Sequence, residues 1–185
     1  IPVGDFSDPT VVNGNITMDG GDELVVTSAA EGEDALEGNF ENWSAMAYWN
    51  DTGASTDGSI RQTADSFERF SLRTINTSSG STTVWSGGAQ KNLQLPALVG
   101  SGRRVLHVTY SSTTNLISAY VDGVLQATTT GDVPTLEWDG WKIYRLIGTH
   151  YESRGAQTAF SAARVQAEFA NLSTTTTFYT VSFAG

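Results

Sequence analysis

The sequence predicts an all-β protein, a single two-sheet antiparallel β-sandwich spanning residues 1–185, and three observations carry that reading. The first is a period of two: in Val105–Tyr110, Leu106, Val108 and Tyr110 alternate with Val105, His107 and Thr109, as only a pleated strand requires. The second is the Asp122-Gly123 pair between apolar neighbours in YVDGVLQA. A type I′ hairpin turn needs positive φ at both central residues, and Asp-Gly supplies it. The third is size and composition: 185 residues, 39% hydrophobic, with 5 Trp, 6 Tyr and 8 Phe, fill one two-sheet core without the disulfides that the absence of Cys forbids.

Taken in order, residues 1–9 read as a Pro- and Gly-bearing lead-in. Thr10–Met18 reads as a strand interrupted by Asn13-Gly14, with the aromatic and β-branched segment Thr177–Phe183 as its expected partner. Asn39–Asn50 and Phe70–Trp85 follow as a long strand and a hairpin, joined through the Gly- and Ser-rich Ala54–Thr63. Gly87–Gly102 reads as a long connection whose Leu93, Leu95 and Leu98 tuck onto the core. The run SSTTN joins the strand at Val105–Tyr110 to one at Asn115–Tyr120, and Trp141–Gly148 reads as a further strand. Ala159–Ala170 fits either a helix or a strand. The alternation of Val165, Ala167 and Phe169 with Arg164, Gln166 and Glu168 favours the strand. The inner faces are expected to carry Trp43, Met46, Tyr48, Leu72, Val108, Tyr120, Ile143 and Phe169.

The middle of the chain, VTY followed by a polar turn and a strand ending in YVDG, resembles the laminin G-like and concanavalin A-like jelly rolls of lectins and glucanases. The flanking segments fit in order: NFENWSAMAYWN is similar to the family's first long core strand, FSLRTINTSSGSTTVW to its next hairpin, WKIYRLIG to a strand ending in Ile-Gly, and ARVQAEFANL to the closing strand. The family usually carries Trp-His-His just before VTY, where Arg103, Arg104 and Val105 stand here. The resemblance implies a jelly-roll sandwich and an adhesion, glycan-binding or exterior structural role.

A formal net charge of −10 and a pI near 4.4 argue against nucleic acid or an anionic membrane surface as partner, because both would be repelled. No apolar run approaches the roughly 18 residues of a membrane span, and IPVGDFSDPT lacks the charged and apolar regions of a signal peptide. Two Lys against eight Arg and twenty carboxylates suits a saline setting, or simply solvates the surface.

The acidic stretch from Asp19 to Glu41 has two readings. It is a solvated face, or it offers the hard oxygen ligands that calcium prefers, with Asp19 and Asp22 the first candidates. Catalysis has little support: His107 and His150 lie far apart, and no nucleophile elbow or phosphate loop is present. The nearest approach is Glu137-Trp138-Asp139. Concanavalin A-like glucanases use Glu-x-Asp, with carboxylates roughly 6.6 Å apart along a strand, followed by a second Glu. Gly140, Trp141 and Lys142 occupy the place of that acid here.

Trp138, Glu137, Asp139 and Tyr151 are therefore read as ligand-binding candidates, since pyranose rings stack on exposed aromatics while planar polar groups take the hydroxyls. Trp138 and Tyr151 are expected to be exposed. Five Asn-x-Ser/Thr sequons, at Asn15, Asn42, Asn50, Asn76 and Asn171, add a faint extracellular signal. The expected function is a non-catalytic module at a cell or virion surface, such as a capsid decoration or tail component. Its partners would be a glycan or neighbouring structural subunits, in an oligomer or alone. The alternative is a glycan-active hydrolase or lyase.

Overall fold

The computed structural model describes residues 10–12, 15–19, 23–27, 39–51, 58–62, 70–74, 81–86, 89–96, 102–131, 136–137, 140–144 and 147–173. They form an antiparallel jelly-roll sandwich with one helix among the described residues. A seven-stranded sheet contains, in spatial order, β1 (Thr10–Val12), β2 (Asn15–Asp19), β15 (Ile147–Ala156), β5 (Asn42–Asp51), β10 (Gly102–Ser111), β11 (Leu116–Val121) and β12 (Val124–Thr130). A six-stranded sheet contains β3 (Glu23–Thr27), β14 (Gly140–Tyr144), β6 (Gly58–Gln62), β7 (Phe70–Thr74), β8 (Ser81–Ser86) and β9 (Ala89–Gln94). A two-residue pair, β4 (Asn39–Phe40) with β13 (Leu136–Glu137), stands apart from both.

The hairpins form where local chemistry demands them. Asp122 and Gly123 have φ of 51° and 76°, and Val121 pairs with Val124, which is the type I′ geometry expected of Asp-Gly. Gly123 serves twice, because a Cβ there would also lie 3.0 Å from the Phe169 ring. The polar run before β11 turns through Asn115 at φ 50°, and the Asn42 side chain accepts from the Ser112 amide at 3.0 Å. Phe70–Trp85 folds as the β7–β8 hairpin.

Four expectations are corrected. Thr10–Met18 is two strands rather than one, since Val12 pairs with Asn15 and Thr10 with Thr17 in an antiparallel register. The supposed connection Gly87–Gly102 contains β9, although Leu93 and Leu95 are buried as expected. Trp141–Gly148 is divided between sheets: β14 lies in the six-stranded sheet, and Ile147-Gly148 opens β15 in the seven-stranded one. The expected strand at Ala159–Ala170 is instead a helix, α1 (Ala162–Ser173), so the likeness of ARVQAEFANL to a closing strand fails.

The residues of this segment account for the helix. Ser161 caps it, its Oγ accepting from the Arg164 amide at 3.3 Å and its carbonyl from the Val165 amide at 3.0 Å. Ala-rich sequence then favours helix, and the apolar residues that reach the sheet, Val165, Phe169 and Leu172, stand at i, i+4 and i+7. Ala167, which the alternating pattern needed buried, is exposed.

The helix packs on the outer face of the seven-stranded sheet, so β5 and β10 are covered on both faces. Trp43–Trp49 and Val105–Tyr110 are buried without a break. Trp43, Ala45, Ala47 and Trp49, with Leu106, Val108 and Tyr110 beside them in register, face the second sheet. The intervening residues Met46, Tyr48 and Val105 face α1 and pack with Tyr151, Phe169 and Leu172. The expected inner-face set therefore mixes two layers: Trp43 and Val108 lie between the sheets, whereas Met46, Tyr48, Tyr120 and Phe169 belong under or on the helix. The side chains of Leu72 and Ile143 and the segment Thr177–Phe183 lie outside the described residues.

Candidate functional site

The helix leaves a cleft on each flank where it crosses the sheet. One, of about 180 Å³, is lined by Tyr48 of β5, Arg103, Arg104 and Val105 of β10, Asp122 of the I′ turn, and Phe169, Leu172 and Ser173 of α1. Tyr151 stands next to this lining, against Tyr48 and Arg103. The register of β15 against β5 slips between His150 and Glu152, placing Tyr151 as an extra residue in a β-bulge, and bulges re-aim side chains in this way. The Tyr151 ring lies 4.6 Å from that of Tyr48, tilted by 31°.

The charged groups are ordered by short contacts. Asp122 accepts from the Val105 amide at 2.9 Å, and its own amide donates to the Val105 carbonyl at 2.8 Å, which locks the turn to the strand. Arg104 leaves the strand on the opposite face from Arg103, but its guanidinium reaches back to the Arg103 carbonyl at 2.8 Å and comes within 3.9 Å of Asp122 Oδ2. Arg103 is exposed, and its guanidinium lies 5.5 Å above the Tyr151 ring. The Tyr48 phenol first, and then that of Tyr151, holds the Arg103 pKa above its ordinary value. Arginine here is a fixed cation beside an aromatic surface.

Across the helix a second cleft, of about 150 Å³, is lined by Ser44, Met46, Arg154, Phe160, Arg164 and Glu168 among others. Its charges pair with each other: Arg164 sits 3.7 Å above the Phe160 ring and 3.3 Å from Glu168, and Arg154 pairs with Glu152. Below it, fully buried His107 donates from Nε2 to Glu168 at 3.1 Å. Burial pushes the His107 pKa down, outweighing the Glu168 carboxylate, which raises it. Buried His150, on β15 opposite Trp49, is lowered by the same cause to about 4.

Of the residues singled out in the sequence, Tyr151 stands beside the first cleft, packed on Tyr48 and half-buried rather than exposed. Glu137 sits on β13 opposite Asn39, while Trp138 and Asp139 lie outside the described residues. Asp19 ends β2 opposite Ile147, and Asp22 lies outside the described residues. Among the described residues no three His, Asp or Glu side chains are grouped to hold a metal ion. Arg103, Arg104, Tyr48 and Asp122 were not foreseen as a site. The available signal was the pair of adjacent arginines in a Lys-poor acidic chain.

The sequence matches no family model and no curated protein. Solved structures do resemble the fold. The CBM40 domain of the Ruminococcus gnavus IT-sialidase, bound to α2,3 sialyllactose, superposes with a TM-score of 0.66 at 13% identity, covering 84% of this chain and 96% of that one. The binding domain of botulinum neurotoxin DC in complex with SialylT gives 0.68 at 10% identity, over 91% of this chain and 45% of that one. A heptameric SAP-like pentraxin from Limulus polyphemus gives 0.56 at 10%, over 70% of each. The likeness is one of fold. At such identities it extends to the jelly-roll sandwich and no further.

Proposed function

We propose that this domain is a non-catalytic glycan-binding module, displayed on the exterior of a cell or a virion, and that it holds its ligand in the cleft between α1 and the β11–β12 turn. The observation that carries this reading is the Tyr48–Tyr151 pair with Arg103 above it and Asp122 across from it. Aromatic faces offer a pyranose its C–H contacts, and guanidinium and carboxylate groups offer its hydroxyls charge-assisted hydrogen bonds. Jelly-roll neighbours bound to sialyllactose and SialylT support the reading by analogy of fold.

A polysaccharide and oligosaccharide panel assayed for both retention and cleavage tests it. Retention without turnover is expected, weakened by Tyr151→Ala and unchanged by Glu137→Gln. Turnover that Glu137→Gln abolishes would replace this reading with that of a glycan hydrolase.

A further inference from the structure

We infer that the ligand of this cleft is an acidic sugar, a pyranose bearing a carboxylate or sulfate, whose anionic group is held by the Arg103 guanidinium. The inference rests on the glycan-binding reading and deepens it.

The charge balance of the cleft leads to it. Among the described lining residues two guanidinium groups, Arg103 and Arg104, face one carboxylate, Asp122, a net charge of +1 on a chain whose total is −10. The two arginines are not equivalent. Arg104 is engaged by the Arg103 carbonyl and by Asp122, whose carboxylate it offsets. Arg103 makes no salt bridge among the described residues, and its neighbours are the ring and hydroxyl groups of Tyr48 and Tyr151. Elsewhere among the described residues the exposed arginines are matched: Arg154 with Glu152, Arg164 with Glu168. In a protein with twice as many acidic as basic residues, a guanidinium set over the Tyr151 ring and in no salt bridge with a described carboxylate is placed for an anion from outside.

Geometry narrows the ligand. A planar guanidinium matches the paired oxygens of a carboxylate or sulfate in a bidentate bond, while the half-buried Tyr151 ring beside it offers an apolar contact to a sugar. At about 180 Å³ the cleft is smaller than the roughly 300–1,000 Å³ of sites for drug-sized ligands, so it suits one terminal sugar rather than a length of polysaccharide. The opposite flank lacks this character, since its arginines are already paired.

The test compares sialyllactose, a glucuronate-terminated oligosaccharide and a 3-sulfated galactoside with unmodified lactose, by calorimetry or microarray, on the wild-type chain and on Arg103→Gln and Arg103→Lys. Preference for one or more acidic probes over lactose is expected, and the preferred probe tells carboxylate from sulfate. Arg103→Gln should weaken that binding by about 10–100-fold, the range of a charged hydrogen bond, and Arg103→Lys should restore part of it. Each variant should melt with the wild type, because Arg103 is exposed at a strand end. Lactose bound as well as the acidic probes would overturn this inference and leave the glycan reading standing. Binding of acidic probes that Arg103→Gln does not weaken would also overturn it. Failure of every probe and of a neutral glycan panel would overturn both.

Discussion

The two faces of the central strands β5 and β10 share one backbone and one register but were assembled for different ends. Toward the second sheet they present Trp43, Ala45, Ala47, Trp49, Leu106, Val108 and Tyr110, a nearly unbroken apolar row. Toward α1 they present Ser44, Met46, Tyr48, Val105, His107 and Thr109, where hydroxyls and an imidazole are buried among apolar groups. Polar groups buried there need partners, and most but not all find one, since His107 Nδ1 has none among the described residues. Ser44 Oγ donates to the Thr158 carbonyl at 2.7 Å and accepts from the Phe160 amide at 2.8 Å, so it fastens the segment that leads into the helix. His107 is held by Glu168. The apolar face supplies stability by area, and the mixed face supplies position, including the position of the cleft.

The comparison can be broken from the apolar side first. Trp43→Ala should cost about 3–5 kcal/mol in denaturant unfolding, because a fully buried large ring leaves a cavity. A cost below about 1 kcal/mol would mean the inter-sheet layer is not the stabilising one.

Acid should act next. Both histidines have pKa values depressed below 6.5 in the folded state by burial, His150 to about 4. The unfolded chain therefore takes up protons that the folded chain refuses, so this stability is full above pH 6.5 and is lost as the pH falls through about 4. His150 alone accounts for roughly 3 kcal/mol over that window. Urea unfolding at pH 7 and pH 4 measures it. Equal stabilities, or greater stability at pH 4, would contradict the burial of the two imidazoles.

A smaller effect sharpens the comparison on the helix side. Gly123→Ala forces a side chain into φ 76° and against Phe169, and should cost about 1–2 kcal/mol while loosening the cleft that this turn borders. A melting midpoint unchanged from the wild type would show that α1 yields freely at this contact.

How much of this was legible depends on how local the signal was. The I′ turn at Asp122-Gly123 and the alternation in Val105–Tyr110 depend on neighbours in sequence and are found where they were expected, as is most of the long strand expected at Asn39–Asn50, which runs Asn42–Asp51 with Asn39–Phe40 split off as β4. The helix was misread because Val165 and Phe169 satisfy both periods. Only Leu172, exposed Ala167 and the Ser161 cap separate them, and the first of these lies beyond Ala170, where the alternating segment ends. The site was the least legible. Tyr48 resembles any core aromatic until a helix covers it, and Tyr151 reaches it only through a bulge in β15. Arg103 is a surface cation until that pairing brings two phenols beside it. These relations join residues about 50 to 120 positions apart, through register and helix docking that no local pattern encodes.

The central claim, that the helix-side cleft is the binding surface, is tested most directly by following backbone amide chemical shifts while sialyllactose is titrated into the labelled protein. The largest shifts are expected at Arg103–Val105, Asp122–Gly123, Tyr151 and Phe169–Ser173. Shifts confined to residues around Glu137 and Asn39, with the cleft amides unmoved, would contradict it and return the site to the β4–β13 pair.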